Sequence, residues 1–266
     1  MKKIEIHCSW DLEFDLHHEK QLELWVDKYP PNQKQSPEVI RIGIFIEPPE
    51  IRNVIGLQTK TNHFDYILTH DQDLLDSRDN CFLYEFGGCW TRDYNFNEKK
   101  FGVSTLIGGK KMSHGHHLRG SVFDKAREIN IPKDIWISKN YPPKNPGIGN
   151  PVLSGPKSHM FDHQFHICIE NVKRDNWFTE KLLDCLYTKT VPIYFGCPNI
   201  GNWFDERGFI IVNSAQEIID ACNRLDGSSY EKYLNFVEIN FETAKKYMDV
   251  AENIRRSIQK NILPLI

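Results

Sequence analysis

From Phe101 to the C-terminus the apolar positions switch repeatedly between two periods. Phe101 to Ile107 is an apolar, β-branched run that Gly108-Gly109 breaks, and Leu118, Val122, Ala126 and Ile129 then recur at helical spacing. Strands are predicted again over Ile135 to Ser138, Phe165 to Ile169, Val191 to Phe195 and Phe209 to Val212, and a helix over Thr179 to Tyr187. Ser214 and Glu217 form an S-x-x-E capping box ahead of Ile218, Ile219 and Ala221, so a helix starts there. Beyond Tyr230, Leu234, Val237, Phe241, Ala244, Met248, Ala251 and Ile254 predict one or more further helices. Strand and helix alternating at this length imply a parallel sheet covered on both faces, with its ligand site at the carboxyl ends of the strands.

The first hundred residues read less regularly. Ile4, Ile6 and Cys8 alternate with polar residues as a first strand. A Pro/Gln/Asn/Ser-rich loop spans Tyr29 to Pro37, and strands follow over Val39 to Ile46 and Phe64 to Thr69. The segment Arg78 to Lys100 is rich in Asn, Gly, Asp and Lys and marks a linker. The expected division is therefore a first lobe at 1–98 and a second at 99–266, the last helices with the second lobe or returning to the first. The expected class is α/β, with two Rossmann-like lobes, a cleft between them and the ligand-donor lobe C-terminal.

Composition narrows the function. A chain of 266 residues that is 40% hydrophobic and 26% charged is an ordinary globular protein. No run approaches the roughly 18 apolar residues that a membrane helix needs, and MKKIEIHCSW does not read as a secretion signal. The net charge of −3 gives no footprint for nucleic acid. Seven scattered cysteines without a C-x-x-C pair fit reduced thiols in a cytoplasmic compartment rather than a disulfide framework or a zinc site.

The chemistry concentrates in Phe165 to Pro198. A buried strand runs into a polar loop that ends at Thr179, a good helix N-cap, so backbone N–H groups and the helix dipole face that loop and suit a phosphate. Lys181 adds a cation for a pyrophosphate, and Glu180 a carboxylate for sugar hydroxyls. A helix that begins T-E-K is, by itself, an ordinary surface feature. Its context is not: a strand ending Glu170-Asn171, then Trp177, Thr179-Glu180-Lys181, Leu182-Leu183-Asp184, and Thr190-Val191-Pro192 with Gly196 and Pro198-Asn199.

That order and spacing resembles the α1,3/4-fucosyltransferase family, glycosyltransferase family 10. There a strand ending F-E-N-S leads through Y-x-T-E-K to G-T-V-P-V-x-x-G-x-x-N. Here Ile169 stands for the Phe, Val172 for the Ser, Trp177 for the Tyr and Lys189 for the Gly. The strand Phe101 to Ile107, a loop with Lys110 and Lys111, and Arg119 look like the family's donor-binding segment, whose arginine meets the diphosphate. Phe45-Ile46-Glu47-Pro48-Pro49 resembles its E-S-P turn, whose glutamate is the proposed base.

The resemblance implies a GT-B-like fold and inverting transfer of L-fucose from GDP-β-L-fucose to a glycan hydroxyl. It further implies Glu47 and Glu180 as catalytic residues, and Arg119, Lys181, Asn171, Trp177, Thr179, Glu170 and Lys111 as donor-binding residues. No metal ligand is expected, and a divalent ion is possible but not obligatory. Two other readings stay open: a transferase of the same fold using another GDP- or UDP-sugar, and a carbohydrate-binding protein without catalysis.

Other features are weaker. Asp71-Gln72-Asp73 is formally a D-x-D metal pair but sits where a turn cap is expected; His114, His116 and His117 read as loop residues beside the phosphate site. Trp90, Tyr94, Trp203 and Phe204 suit a sugar cleft or core packing equally well.

Overall fold

The computed structural model describes residues 1–32, 36–54, 60–140 and 152–266, so part of the polar loop read at 29–37 lies outside the described residues. The chain divides into two compact units. One is Met1–Gly87 with Asp175–Trp177 and Asp249–Ile266, the other Gly88–Arg174 with Phe178–Met248.

The first unit contains β1 (Lys2–Lys3), β2 (Glu5–His7), β3 (His17–His18), β4 (Leu22–Val26), β5 (Ile40–Phe45), α1 (Pro49–Val54), β6 (Tyr66–Thr69), α2 (Gln72–Ser77) and β7 (Cys81–Leu83). Its main sheet is parallel in the order β2-β4-β5-β6-β7, beside an antiparallel β1-β3 pair. Strand β4 has no counterpart in the pattern reading. Its Glu23 is buried because the Arg41 guanidinium of β5 meets it at 3.0 Å, which hides a strand behind a charged position.

The second unit contains β8 (Lys100–Ile107), α3 (His114–Asp124), β9 (Lys133–Ser138), β10 (Val152–Leu153), β11 (His163–Ile169), α4 (Glu180–Tyr187), β12 (Val191–Phe195), β13 (Ile210–Ile211), α5 (Ala215–Asn223) and α6 (Leu234–Ala244). The last helix, α7 (Val250–Asn261), belongs to the first unit. The second sheet is parallel in the order β10-β9-β8-β11-β12-β13. Counted from its own first strand this is the doubly wound order 3-2-1-4-5-6, which reverses between β8 and β11 and opens a crevice beyond their carboxyl ends.

Residues 88–98 pack with the second unit because Asp184 of α4 collects the Trp90 N–H at 2.7 Å and the Cys89 and Thr91 side chains. The chain thus leaves the first unit near Gly87, ahead of the division read at 98. At the end of the chain α7 takes the second of the two expected arrangements and returns to the first unit. Asp249 breaks the apolar series by capping α7, where its side chain accepts the Glu252 N–H at 3.1 Å, and Ile254, Ile258 and Ile262 then bury fully in the first unit's core. The Ser214 box forms, Ser214 Oγ accepting the Glu217 N–H at 3.1 Å, although the Glu217 carboxylate reaches back to the Asn213 N–H at 2.9 Å and the Ser214 hydroxyl at 3.4 Å rather than to the Ser214 N–H. All seven cysteines are free thiols, and no described helix is long and apolar enough to cross a membrane.

Candidate functional site

The crevice between β8 and β11 is built around Glu170, the residue that follows β11. Its carboxylate is fully buried and accepts the Thr179 N–H at 2.8 Å and the Thr179 hydroxyl at 2.8 and 3.0 Å. Two glycines make room for it. A Cβ on Gly115 of α3 would lie 1.8 Å from the Glu170 carbonyl oxygen, and one on Gly196 would lie 2.7 Å from Glu170 Cγ. The start of α3 is therefore pressed against the end of β11, an approach only glycine permits, and the Gly115 N–H donates to Asn171 O at 2.9 Å.

This docking brings in Arg119, one turn along α3. Its Nε and Nη2 donate to Ile169 O at 3.2 and 2.6 Å, and Nη2 also reaches Asn171 Oδ1 at 2.7 Å. Nη1 has no hydrogen-bond partner among the described residues. Burial draws the guanidinium's pKa down, and the Glu170 and Glu180 carboxylates oppose that shift.

Opposite it, the Thr179 side chain caps α4 by accepting the Lys181 N–H. Lys181 Nζ donates to Thr179 Oγ1 at 3.0 Å and pairs with Glu180 at 3.1 Å and Glu170 at 3.5 Å. Burial works against the charged ammonium, but Glu180 and Glu170 outweigh it and hold the pKa above its ordinary value. Burial alone would raise Glu180; Lys181 and Lys157 instead pull it down to about 2, so it is ionised at neutral pH. Glu170 is pushed upward by burial while Lys181 resists. Lys181 keeps 28% of its side chain exposed above a Glu170 side chain with none. The site thus gathers two partly exposed cations, Arg119 and Lys181, around the buried Glu170 carboxyl and beside the ionised Glu180.

The first unit has a second strand-end cluster. Asp27, after β4, accepts the N–H groups of Ile46 at 3.1 Å and Glu47 at 3.1 Å, which fixes the chain at the end of β5 where Glu47 stands. Burial, helped by the charge of Glu47, raises Asp27 to about 7. The buried indole of Trp177 donates to Ile46 O at 3.0 Å, so it braces this turn through its N–H.

Lys111 is exposed on the loop between β8 and α3. The histidines read as loop residues lie in the first turns of α3 instead, because Ser113 ends the loop. Asp71 stands at the N-cap position of α2 and meets buried Arg52 at 3.5 Å. No group of three or more His, Cys, Asp or Glu among the described residues could hold a metal ion. Trp90 is 66% exposed, while Tyr94 and Phe204 are core residues. Pattern reading passed over Asp27, hidden behind the missed β4, and over Lys157, which bears on Glu180 only through the fold.

Residues 154–259 match the family model described as Glycosyltransferase family 10 (fucosyltransferase) C-term. Over this stretch the chain is similar to the C-terminal domain of the family 10 glycosyltransferases. Among curated proteins it is 30% identical over 76 residues to an α-(1,3)-fucosyltransferase FucT of Helicobacter pylori, covering 29% of this chain and 15% of that protein. It is also 35% identical over 83 residues to a GDP-fucose protein O-fucosyltransferase 3 of Danio rerio, covering 30% of this chain and 18% of that protein. The chain therefore spans less than a fifth of these relatives' length. A crystal structure of an α1,3-fucosyltransferase with GDP-fucose superposes on 94% of this chain and 79% of the other, with a TM-score of 0.56 at 17% identity. That likeness establishes the fold, two Rossmann-like units of the GT-B type. Glu170, Thr179, Glu180 and Lys181 all fall inside the matched stretch; Arg119 and Glu47 precede it.

Proposed function

We propose that this chain is an inverting glycosyltransferase that moves L-fucose from GDP-β-L-fucose to a hydroxyl of an acceptor glycan. The observation that carries the reading is the placement of Arg119 and Lys181 about the buried Glu170 segment, at the order reversal of the second unit's sheet and where the match to the family 10 model runs through Glu170 and Lys181. Two cations there neutralise the diphosphate as the bond from its oxygen to the anomeric carbon breaks, and a guanidinium with Nη1 unused suits a phosphate oxygen.

The remaining residues take consistent roles. Glu180, ionised, accepts hydrogen bonds from ribose or fucose hydroxyls. Glu170, Asn171 and Thr179 hold the cations in place, and Lys111 adds charge at the loop. Glu47 takes the proton of the attacking hydroxyl as that oxygen bonds to the opposite face of the anomeric carbon. Trp177 positions the Glu47 turn. Because the two side-chain cations carry the leaving group's charge, no divalent ion is required, and turnover should survive EDTA. Seven free thiols suit a reducing, cytoplasm-like compartment.

The test is a donor screen with an acceptor glycan panel, read by product mass. A 6-deoxyhexose increment from GDP-fucose supports the reading. A hexose increment from another nucleotide sugar transfers the reaction to a different donor.

A further inference from the structure

The histidines of α3 are the sequence feature that the proposed function leaves unused, and one of them is set in an unusual way. Ser113 occupies the N-cap position of α3 with extended backbone, yet its side chain makes no capping bond to the helix. Its Oγ lies instead 2.6 Å from His116 Nδ1. A serine at this position ordinarily accepts an N–H of the first turn; here it orients an imidazole.

His116 is 7% exposed and Ser113 8%. The other ring nitrogen, Nε2, has no hydrogen-bond partner among the described residues. His116 follows Gly115, the residue pressed onto Glu170 and Asn171, and stands three positions before Arg119, on the same face of the helix. The groups bearing on it electrostatically are Arg119, Lys110, Lys181 and His117, all of them basic. Burial and those neighbours lower its pKa to about 4, so the ring is neutral at physiological pH.

A neutral imidazole has one N–H and one lone pair. When the Ser113 hydroxyl donates to Nδ1, the proton sits on Nε2, and that N–H stands amid cations with no acceptor among the described residues. Such a group calls for an anionic oxygen.

We propose that His116 binds the donor's diphosphate as a hydrogen-bond donor through Nε2–H, with Ser113 holding the ring through Nδ1. The assignment rests on the reading that this crevice takes a nucleoside diphosphate. It adds to the site a residue whose bond, unlike those of Arg119 and Lys181, supplies direction without further charge.

The experiment is calorimetric titration of GDP and of guanosine into the wild-type chain and into His116→Phe, His116→Gln, Ser113→Ala and Arg119→Ala. Melting of each ligand-free variant checks that it is folded. His116→Phe is expected to weaken GDP by roughly tenfold, the loss of one hydrogen bond to a charged group, and to leave guanosine unchanged. His116→Gln, whose amide N–H replaces Nε2–H, recovers most of that loss; Ser113→Ala weakens GDP less than His116→Phe does. Wild-type GDP affinity in folded His116→Phe, with Arg119→Ala impaired, overturns this assignment alone. A parallel loss of guanosine, or no rescue by Gln, makes the residue structural and overturns it as well. A wild-type chain that binds no GDP overturns both this assignment and the reading beneath it.

Discussion

The two units place ionisable groups at the carboxyl ends of parallel strands, but of different kinds and by different means. In the second unit the sheet order reverses between β8 and β11, and Arg119 and Lys181 collect there over one buried carboxylate. In the first unit the order β2-β4-β5-β6-β7 runs without reversal, and the strand ends present Asp27 and Glu47. A reversal lets helices leave in opposite directions and opens a crevice for a ligand. Without one, the carboxylates are organised by backbone N–H groups and a brace from Trp177. The same α/β grammar thus gives a crevice of paired cations and carboxyl groups in one unit and a braced carboxyl-bearing turn in the other.

Removing the central carboxylate of each unit breaks the comparison most sharply. Glu170→Ala leaves the Thr179 N–H and Lys181 without their buried acceptor and should cost about 3 kcal/mol in denaturant unfolding. Unchanged stability would mean that Glu170 does not organise the site.

Gly115→Ala drives a methyl into the Glu170 carbonyl and must lift α3 from β11. A loss of about 2 kcal/mol is expected, together with weaker GDP binding as Arg119 shifts. Gly120→Ala, on the same helix with open space around it, serves as the control and should leave GDP binding unchanged while stabilising the helix by up to ~1 kcal/mol.

Asp27 predicts the opposite response to removal of a carboxylate. Its folded pKa of about 7 lies above the model-peptide value of 3.8, so the folded state holds a proton that the unfolded state releases. Its contribution is fully present below pH 3.8 and is lost as pH rises through 7. Asp27→Asn keeps an acceptor for the N–H groups and cannot ionise. It should therefore gain on wild type between pH 5 and 7, by at most ~1.4 kcal/mol per pH unit. A difference that stays flat over this range, measured by urea unfolding, removes Asp27 as a carboxyl held neutral.

The smallest effect lies at the C-terminus of α4. Thr190 N–H donates to Cys185 O at 2.9 Å and Lys189 N–H to Leu186 O at 3.2 Å, and Lys189 has φ of 56°, a Schellman end that favours glycine. Lys189 also pairs with Glu238 at 2.7 Å and lies over the Phe241 ring. Lys189→Ala should cost about 1 kcal/mol, and Lys189→Gly should recover most of it in thermal melts.

The second unit was legible in the sequence because one strand, one loop and one helix carry most of its site in a single run. Glu170, Thr179 and Lys181 are neighbours in the chain as well as in space, and the resemblance could be read off their spacing. Lys189, which stands where the resemblance expects a glycine, takes the left-handed backbone that favours glycine. The first unit was legible only in part. Its cluster joins Asp27, Glu47 and Trp177 from distant parts of the chain, and β4, which positions Asp27, was masked by a glutamate that burial pairs with Arg41. The division of the chain was obscured for a related reason. Residues 88–98 and α7 are assigned by what they pack against, Asp184 in one case and the isoleucine core in the other, and no local pattern announces either.

The central claim is that Arg119 and Lys181 jointly receive a diphosphate, and a crystal of the chain soaked with GDP tests it most directly. The account predicts phosphate oxygens within ~3 Å of both Arg119 Nη1 and Lys181 Nζ, charge-assisted hydrogen bonds from two helices to one ligand. GDP bound with its phosphates away from these two groups, or a crevice that stays empty at saturating GDP, would contradict it.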